Sequence, residues 1–135
     1  MALFIDTSAL LAVMNADDEY HGAALDAWVG AVERDNRLVS TSYVLVETTA
    51  LLQNRMGIEA VAIFNNDILP VIEICWIDEA LHATAMAILL AAGRPRLSLV
   101  DCASFVCMRQ WGIKKVFTFD PHFKEQGFEC LPPVR

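Results

Sequence analysis

Short unbroken apolar runs alternate along the chain with longer stretches in which apolar residues recur at helical spacing. Residues 2–5 form the first run, of strand length, and Thr7-Ser8 then offers cap hydroxyls to a helix through Met14. Asp17 or Asp18 is placed to cap a second helix, where Ala24, Leu25, Trp28, Ala31 and Val32 keep a helical period. A second strand is expected over 37–40. Ser42 is expected to cap a third helix reaching about Met56 and ended by Gly57, with Tyr43, Val46, Ala50, Leu51 and Leu52 on its apolar face. A fourth helix over 59–69 closes at Pro70, and the β-branched run 71–76 predicts a third strand. Asp78 caps a helix over 79–92 that Gly93 ends, and Ser98 caps another over 99–111 that Gly112 ends. A strand over 115–119 is broken by Asp120-Pro121, and 128–131 makes a short last strand.

This order of strands and helices predicts an α/β layered domain with a mainly parallel sheet of four to five strands. The strands lack a polar alternation, which fits a sheet covered by helices on both faces. At 135 residues the chain has the length of one domain, 1–135, and no linker or internal repeat divides it.

Composition changes the picture in two ways. Apolar residues make up 56% of the chain and charged residues only 20%, which excludes a disordered or low-complexity scaffold. A domain this small has limited interior, so part of the apolar material is expected to cover an interface. Net charge is −7, which excludes a globally basic nucleic-acid binder. The charge is nevertheless uneven. Residues 1–79 hold 3 Lys/Arg against 13 Asp/Glu, and residues 80–135 hold 7 against 4. Cys75, Cys102, Cys107 and Cys130 make no Cys-x-x-Cys pair and read as small core residues. The absence of a basic, apolar leader and of any ~20-residue apolar run predicts a reduced, cytoplasmic chain with no membrane span.

The topology also predicts where chemistry gathers. In an open parallel sheet, ligands bind beyond the carboxyl ends of the strands. Asp6 directly follows strand 1, Asp120 directly follows strand 4, and Glu47 and Asp101 lie in early turns of helices that reach the same edge. Two ionised carboxylates ~5 Å apart repel by about 3 kcal/mol at an effective dielectric of ~20. A cluster of four therefore needs a cation or partial protonation. Oxygen donors without Cys or an expected His ligand favour Mg²⁺ or Mn²⁺, and the reaction class this suggests is metal-dependent phosphodiester hydrolysis. Each acid alone also has an ordinary role open to it: helix cap for Asp6, surface acid for Glu47, capping box for Asp101, turn residue for Asp120.

The ordered set resembles the PIN-domain ribonucleases, and in size the VapC-type toxins of toxin–antitoxin pairs. The matching segments are Asp6-Thr7-Ser8-Ala9-Leu10, Glu47 in the helix after strand 2, Leu97-Ser98-Leu99-Val100-Asp101, and Phe117-Thr118-Phe119-Asp120-Pro121-His122-Phe123. The resemblance implies a three-layer α/β/α fold, Mg²⁺- or Mn²⁺-dependent endoribonuclease activity, homodimerisation, and a cognate antitoxin in the acidic groove. It also implies that Asp6, Glu47, Asp101 and Asp120 form the catalytic and metal-binding acidic set, with Thr7 and Thr118 as the hydroxyls beside it and Ser8 less firmly so. The second acid that the family often carries before the final Phe is replaced here by Pro121-His122, which implies a weaker second metal position.

His122 reads first as a turn residue, with a phosphate contact or proton shuttle as its other reading, and Arg94, Arg96, Lys114, Lys115 and Lys124 read as surface charges available to an RNA backbone. Tyr43, Trp28, Trp76 and Trp111 sit in apolar patterns and are expected to pack in the core. A haloacid-dehalogenase-type phosphatase also begins with strand-then-Asp, but its second Asp two residues on is here Ser8. A catalytically silent PIN-like module that binds RNA or protein remains the alternative.

Overall fold

The computed structural model describes residues 1–133. Five strands, β1 (Ala2–Ile5), β2 (Arg37–Thr41), β3 (Ile72–Cys75), β4 (Lys115–Phe117) and β5 (Glu129–Leu131), form one sheet in the order β3-β2-β1-β4-β5. Every neighbouring pair is parallel. Seven α-helices connect them: α1 (Thr7–Met14), α2 (His21–Glu33), α3 (Ser42–Met56), α4 (Ile58–Ile63), α5 (Glu79–Ala92), α6 (Leu99–Gln110) and α7 (Pro121–Glu125). Successive residues of β1, Leu3, Phe4 and Ile5, are all buried although they point to opposite faces. Helices therefore cover both sides of the sheet, as the apolar runs imply.

The central strand β1 sets the site. Its partner β4 lies in register with Phe4 opposite Val116 and Ile5 opposite Phe117. The two chains consequently leave the sheet side by side, with the Asp6 amide donating to the Phe117 carbonyl at 3.1 Å. A cluster of phenylalanines beneath this edge holds the flanking helices. Phe123 of α7 packs 5.0 Å edge-on against Phe105 of α6 and 6.4 Å from Phe4 of β1. All three rings are fully buried, which fixes α6 and α7 against the strand that delivers Asp6.

Four local features differ from the sequence expectation. The cap of α3 is Thr41, whose Oγ1 accepts from the Val44 amide; Ser42 instead accepts from the Ile77 amide at 2.9 Å and ties α3 to the end of β3. Helix α2 starts at His21 with no side-chain cap, because Asp18 is used one turn earlier, accepting from the Tyr20 amide. The fourth helix is regular only to Ile63. It widens into a π-turn over Phe64–Ile68 and tightens into a 3₁₀ turn over Leu69–Val71, since Pro70 lacks an amide and its ring crowds the preceding turn. Strand β4 stops at Phe117, and Asp120-Pro121 opens α7 as well as ending the extended run. Cys75, Cys102 and Cys107 are buried and Cys130 half-buried, all as free thiols. Among the described residues no helix is long and apolar enough to cross a membrane.

Candidate active site

Asp6 is the N-cap of α1 and is 2% exposed. Its Oδ2 accepts from the hydroxyls of Ser8 at 2.8 Å and Thr118 at 2.9 Å. Each hydroxyl also accepts a backbone amide from the β4–α7 turn: Ser8 from Phe119 and Thr118 from Asp120, both at 2.9 Å. The turn that presents Asp120 is thus laced to Asp6 through two hydroxyls. Burial pushes the Asp6 carboxyl up to about 6; the Ser8 and Thr118 hydrogen bonds oppose the shift, and the charges of Asp101 and Asp120 add to it.

Asp101 occupies the third position of α6 and closes a capping box. The Ser98 hydroxyl accepts from the Asp101 amide, and the Asp101 carboxylate accepts from the Ser98 amide, each at 3.0 Å. The capping bonds leave its carboxylate facing the β1–β4 edge. Its pKa is also raised, first by burial and then by the charge of Asp120, against the Ser98 hydrogen bonds. Asp120 caps α7, accepting from the His122 amide at 2.9 Å.

His122 completes the cluster. Its Nδ1 lies 2.8 Å from Asp120 Oδ1 and 3.8 Å from Asp101 Oδ2. The closer contact lacks the alignment of a hydrogen bond, so this nitrogen is buried without one. One ligand atom each from Asp101, Asp120 and His122 falls within 4.8 Å of the others. The sequence favours a turn role for His122 over a part in the site. The signal was its place two residues after a capping Asp, where the first turn of a helix folds a side chain back over the cap.

Not every expected residue joins this group. Glu47 lies half-buried on α3, and neither it nor Asp6 belongs to the three converging ligand atoms; Asp6 stands beside them, within reach of the Asp101 and Asp120 charges. Thr7 is buried with its hydroxyl unpartnered; the hydroxyls that reach Asp6 belong to Ser8 and Thr118. Arg94 and Lys115 are engaged by Glu125 and Glu129. Of the four aromatics assigned to the core, only Trp28 is buried. Tyr43 is half-buried with its hydroxyl on His82, Trp111 is half-buried under the Arg37 guanidinium, and Trp76, the first residue after edge strand β3, is 71% exposed.

The donor set fits a hard divalent cation. Two buried carboxyls carry raised pKa values, a third carboxylate stands beside them, and a buried imidazole nitrogen has no hydrogen bond. A cation would relieve the repulsion and use that nitrogen, and oxygen-dominated coordination suits Mg²⁺ or Mn²⁺.

The family model for the PIN domain matches residues 3–129. This chain is a PIN-domain protein. Among curated relatives, the PIN domain is 32% identical over 132 residues to the 23S rRNA-specific endonuclease VapC20 of Mycobacterium tuberculosis, covering 97% of this chain and 98% of that protein. The crystal structure of that toxin, which cleaves the sarcin–ricin loop, superposes with a TM-score of 0.84 at 31% identity, over 93% of this chain and 95% of that one. The fold is also that of VapBC2 from Rickettsia felis bound to a promoter DNA fragment, with a TM-score of 0.70 at 13% identity over 96% and 97% of the two chains.

Proposed function

We propose that this PIN domain, 1–135 as a single unit, is a divalent-metal-dependent endoribonuclease and the toxin of a cytoplasmic toxin–antitoxin pair. The observation that carries this reading is the convergence of Asp6, Asp101 and Asp120 at the carboxyl ends of β1 and β4, two of them with raised pKa values. Similarity to VapC20 along nearly the whole chain supports an RNA substrate, with 23S rRNA the first to test. The VapBC2 fold likeness is consistent with an antitoxin partner.

Asp6, Asp101 and Asp120 would hold Mg²⁺ or Mn²⁺, with His122 beside them and Glu47 at the margin of the groove. When bound, the ion supplies charge neutralisation at the phosphate and a more acidic water. The chain's own residues do the rest. Ser8 and Thr118 hold the Asp6 carboxylate in one orientation, so that it need not reorganise when substrate arrives. Asp101 is locked by its capping box. His122 Nδ1, between the Asp101 and Asp120 carboxylates, would add a nitrogen donor to that set.

Exposed apolar side chains support a covering partner: Leu25, Val29 and Val32 form one stripe along α2, and Trp76 stands out from β3. We assign these surfaces to a homodimer and to the antitoxin. Sedimentation of the purified protein tests the first, with a mass of twice 15.0 kDa expected.

The decisive experiment is incubation of the protein with 23S rRNA and with single-stranded RNA, in Mn²⁺ or Mg²⁺, in EDTA, and as Asp6→Asn and Asp101→Asn. Discrete cleavage that EDTA and both substitutions abolish is the expected result. Cleavage indifferent to chelation and to both substitutions would overturn the metal site. RNA binding without cleavage would mark a silent module.

A further inference from the structure

A cavity of about 910 Å³ opens directly beside the acidic cluster and shares Thr118 and Asp120 with it. Its volume lies within the ~300–1,000 Å³ of pockets that enclose small ligands. Nothing in the acidic chemistry accounts for its character, because its walls are mainly apolar. Tyr20, Phe119, Pro121, Cys130 and Pro132 line it, and Lys124 brings a positive charge to it.

Two of these residues form an aromatic stack. The rings of Tyr20 and Phe119 lie 4.6 Å apart, nearly parallel at 6°, with Tyr20 46% exposed. The stack is anchored from both sides. The Phe119 amide donates to Ser8 Oγ, which itself donates to Asp6 Oδ2, so one hydroxyl separates the ring's backbone from the acid. The Tyr20 amide is held by Asp18, and the His21 ring contacts the Ala12 carbonyl at 2.8 Å, pinning the start of α2 to α1. The site therefore continues into a fixed aromatic platform with a cation at its side. An apolar face for a ring, a positive charge for a phosphate and an adjoining metal-type acidic cluster together suit one ligand class.

We propose that this cavity is a nucleobase subsite. In this assignment, which rests on the endoribonuclease reading above, the base next to the scissile phosphate packs against the Tyr20–Phe119 stack while Lys124 contacts a neighbouring phosphate. The stack supplies affinity and positions the bond to be cut over Asp6, Asp101 and Asp120. The Arg94 and Lys115 side chains are taken up by acidic neighbours, whereas Lys124 faces the cavity.

The first test needs no cleavage. The chelator-treated protein is titrated with each of the four nucleoside 5′-monophosphates and with ribose 5-phosphate, which has the sugar and phosphate but no base, and followed by NMR. Nucleotides are expected to shift Tyr20, Phe119 and the 118–124 amides, and to bind on the order of tenfold more tightly than ribose 5-phosphate. Tyr20→Leu should remove that difference and Tyr20→Phe should keep it. The second test compares cleavage of intact RNA with RNA carrying one abasic site beside the scissile bond. Tyr20→Leu should raise KM about tenfold on intact RNA with kcat little changed, and should have no further effect on the abasic substrate. Equal binding of nucleotides and ribose 5-phosphate would overturn the subsite, as would an equal loss on both RNAs. A protein that binds nucleotides as described but cuts no RNA would instead defeat the endoribonuclease reading alone.

Discussion

Asp6 is the most deeply buried of the proposed metal-binding acids, and its titration gives the sharpest test. Its folded pKa of about 6 lies above the ordinary value of 3.8. Between these values the native state binds more protons than the unfolded chain, so stability falls as pH rises through this window. The loss approaches about 3 kcal/mol by neutral pH. Asp6→Asn should accordingly match the parent near pH 4 and exceed its stability at pH 8 by up to that amount, in chelator, measured by urea unfolding, while abolishing cleavage. Ser8→Ala removes a donor to the ionised carboxylate. It should move the midpoint of the pH dependence of Mn²⁺ affinity upward by roughly one unit, followed by calorimetry. How much of this site the sequence discloses depends on backbone position. Asp6, Asp101 and Asp120 are legible because each follows a strand or opens a helix, places that can be located from pattern alone. The positions of His122 and Tyr20 are not, because they depend on where a side chain turns once α7 packs through Phe123 and α2 docks on α1. Glu47 is an acid in a suitable helix that, like Asp6, is not among the three converging ligand atoms.

At the scale of elements, helix starts serve as site-building devices. Asp6, Ser98 with Asp101, and Asp120 are all caps, so the bonds that stabilise α1, α6 and α7 also aim the functional carboxylates. Ser98→Ala should therefore have two effects. It should cost about 1 kcal/mol of stability, seen as a fall of roughly 4 °C in Tm. It should also loosen Asp101 and weaken Mn²⁺ binding, which a mere surface cap would leave unchanged. Strands and long helices were readable from apolar runs, Gly57, Gly93 and Gly112, since local pattern and tertiary fold agree there. The reading failed where tertiary contacts chose between equivalent local options. Thr41 and Ser42 are both capable caps, and only the approach of Ile77 decides which hydroxyl is left to do it. The π-turn after Ile63 likewise depends on how Pro70 must enter β3, which periodicity does not encode.

For the whole molecule, net charge and activity are reconciled by where the acids sit. Asp6, Asp101 and Asp120 lie close enough at one sheet edge for their charges to interact, and the divalent ion proposed there would reverse the sign a phosphate meets. Binding of that ion should stabilise the protein by about 2.7 kcal/mol at a concentration a hundredfold above Kd. The gain should shrink at pH 5, where Asp6 must first release its proton; thermal unfolding with and without Mn²⁺ at the two pH values measures this.

The pairing of Asp6 with Thr118 spans 112 residues, and Thr118 is itself held by the Leu131 carbonyl through its amide at 3.0 Å. A growing polypeptide thus has its first acid in place long before the partner that orients it exists. Until β4 has left the ribosome's exit tunnel it cannot close on β1, and until β5 follows it the Thr118 amide lacks its Leu131 partner. A fragment ending before Thr118 lacks the hydroxyl that orients Asp6 and should be harmless to the cell that makes it.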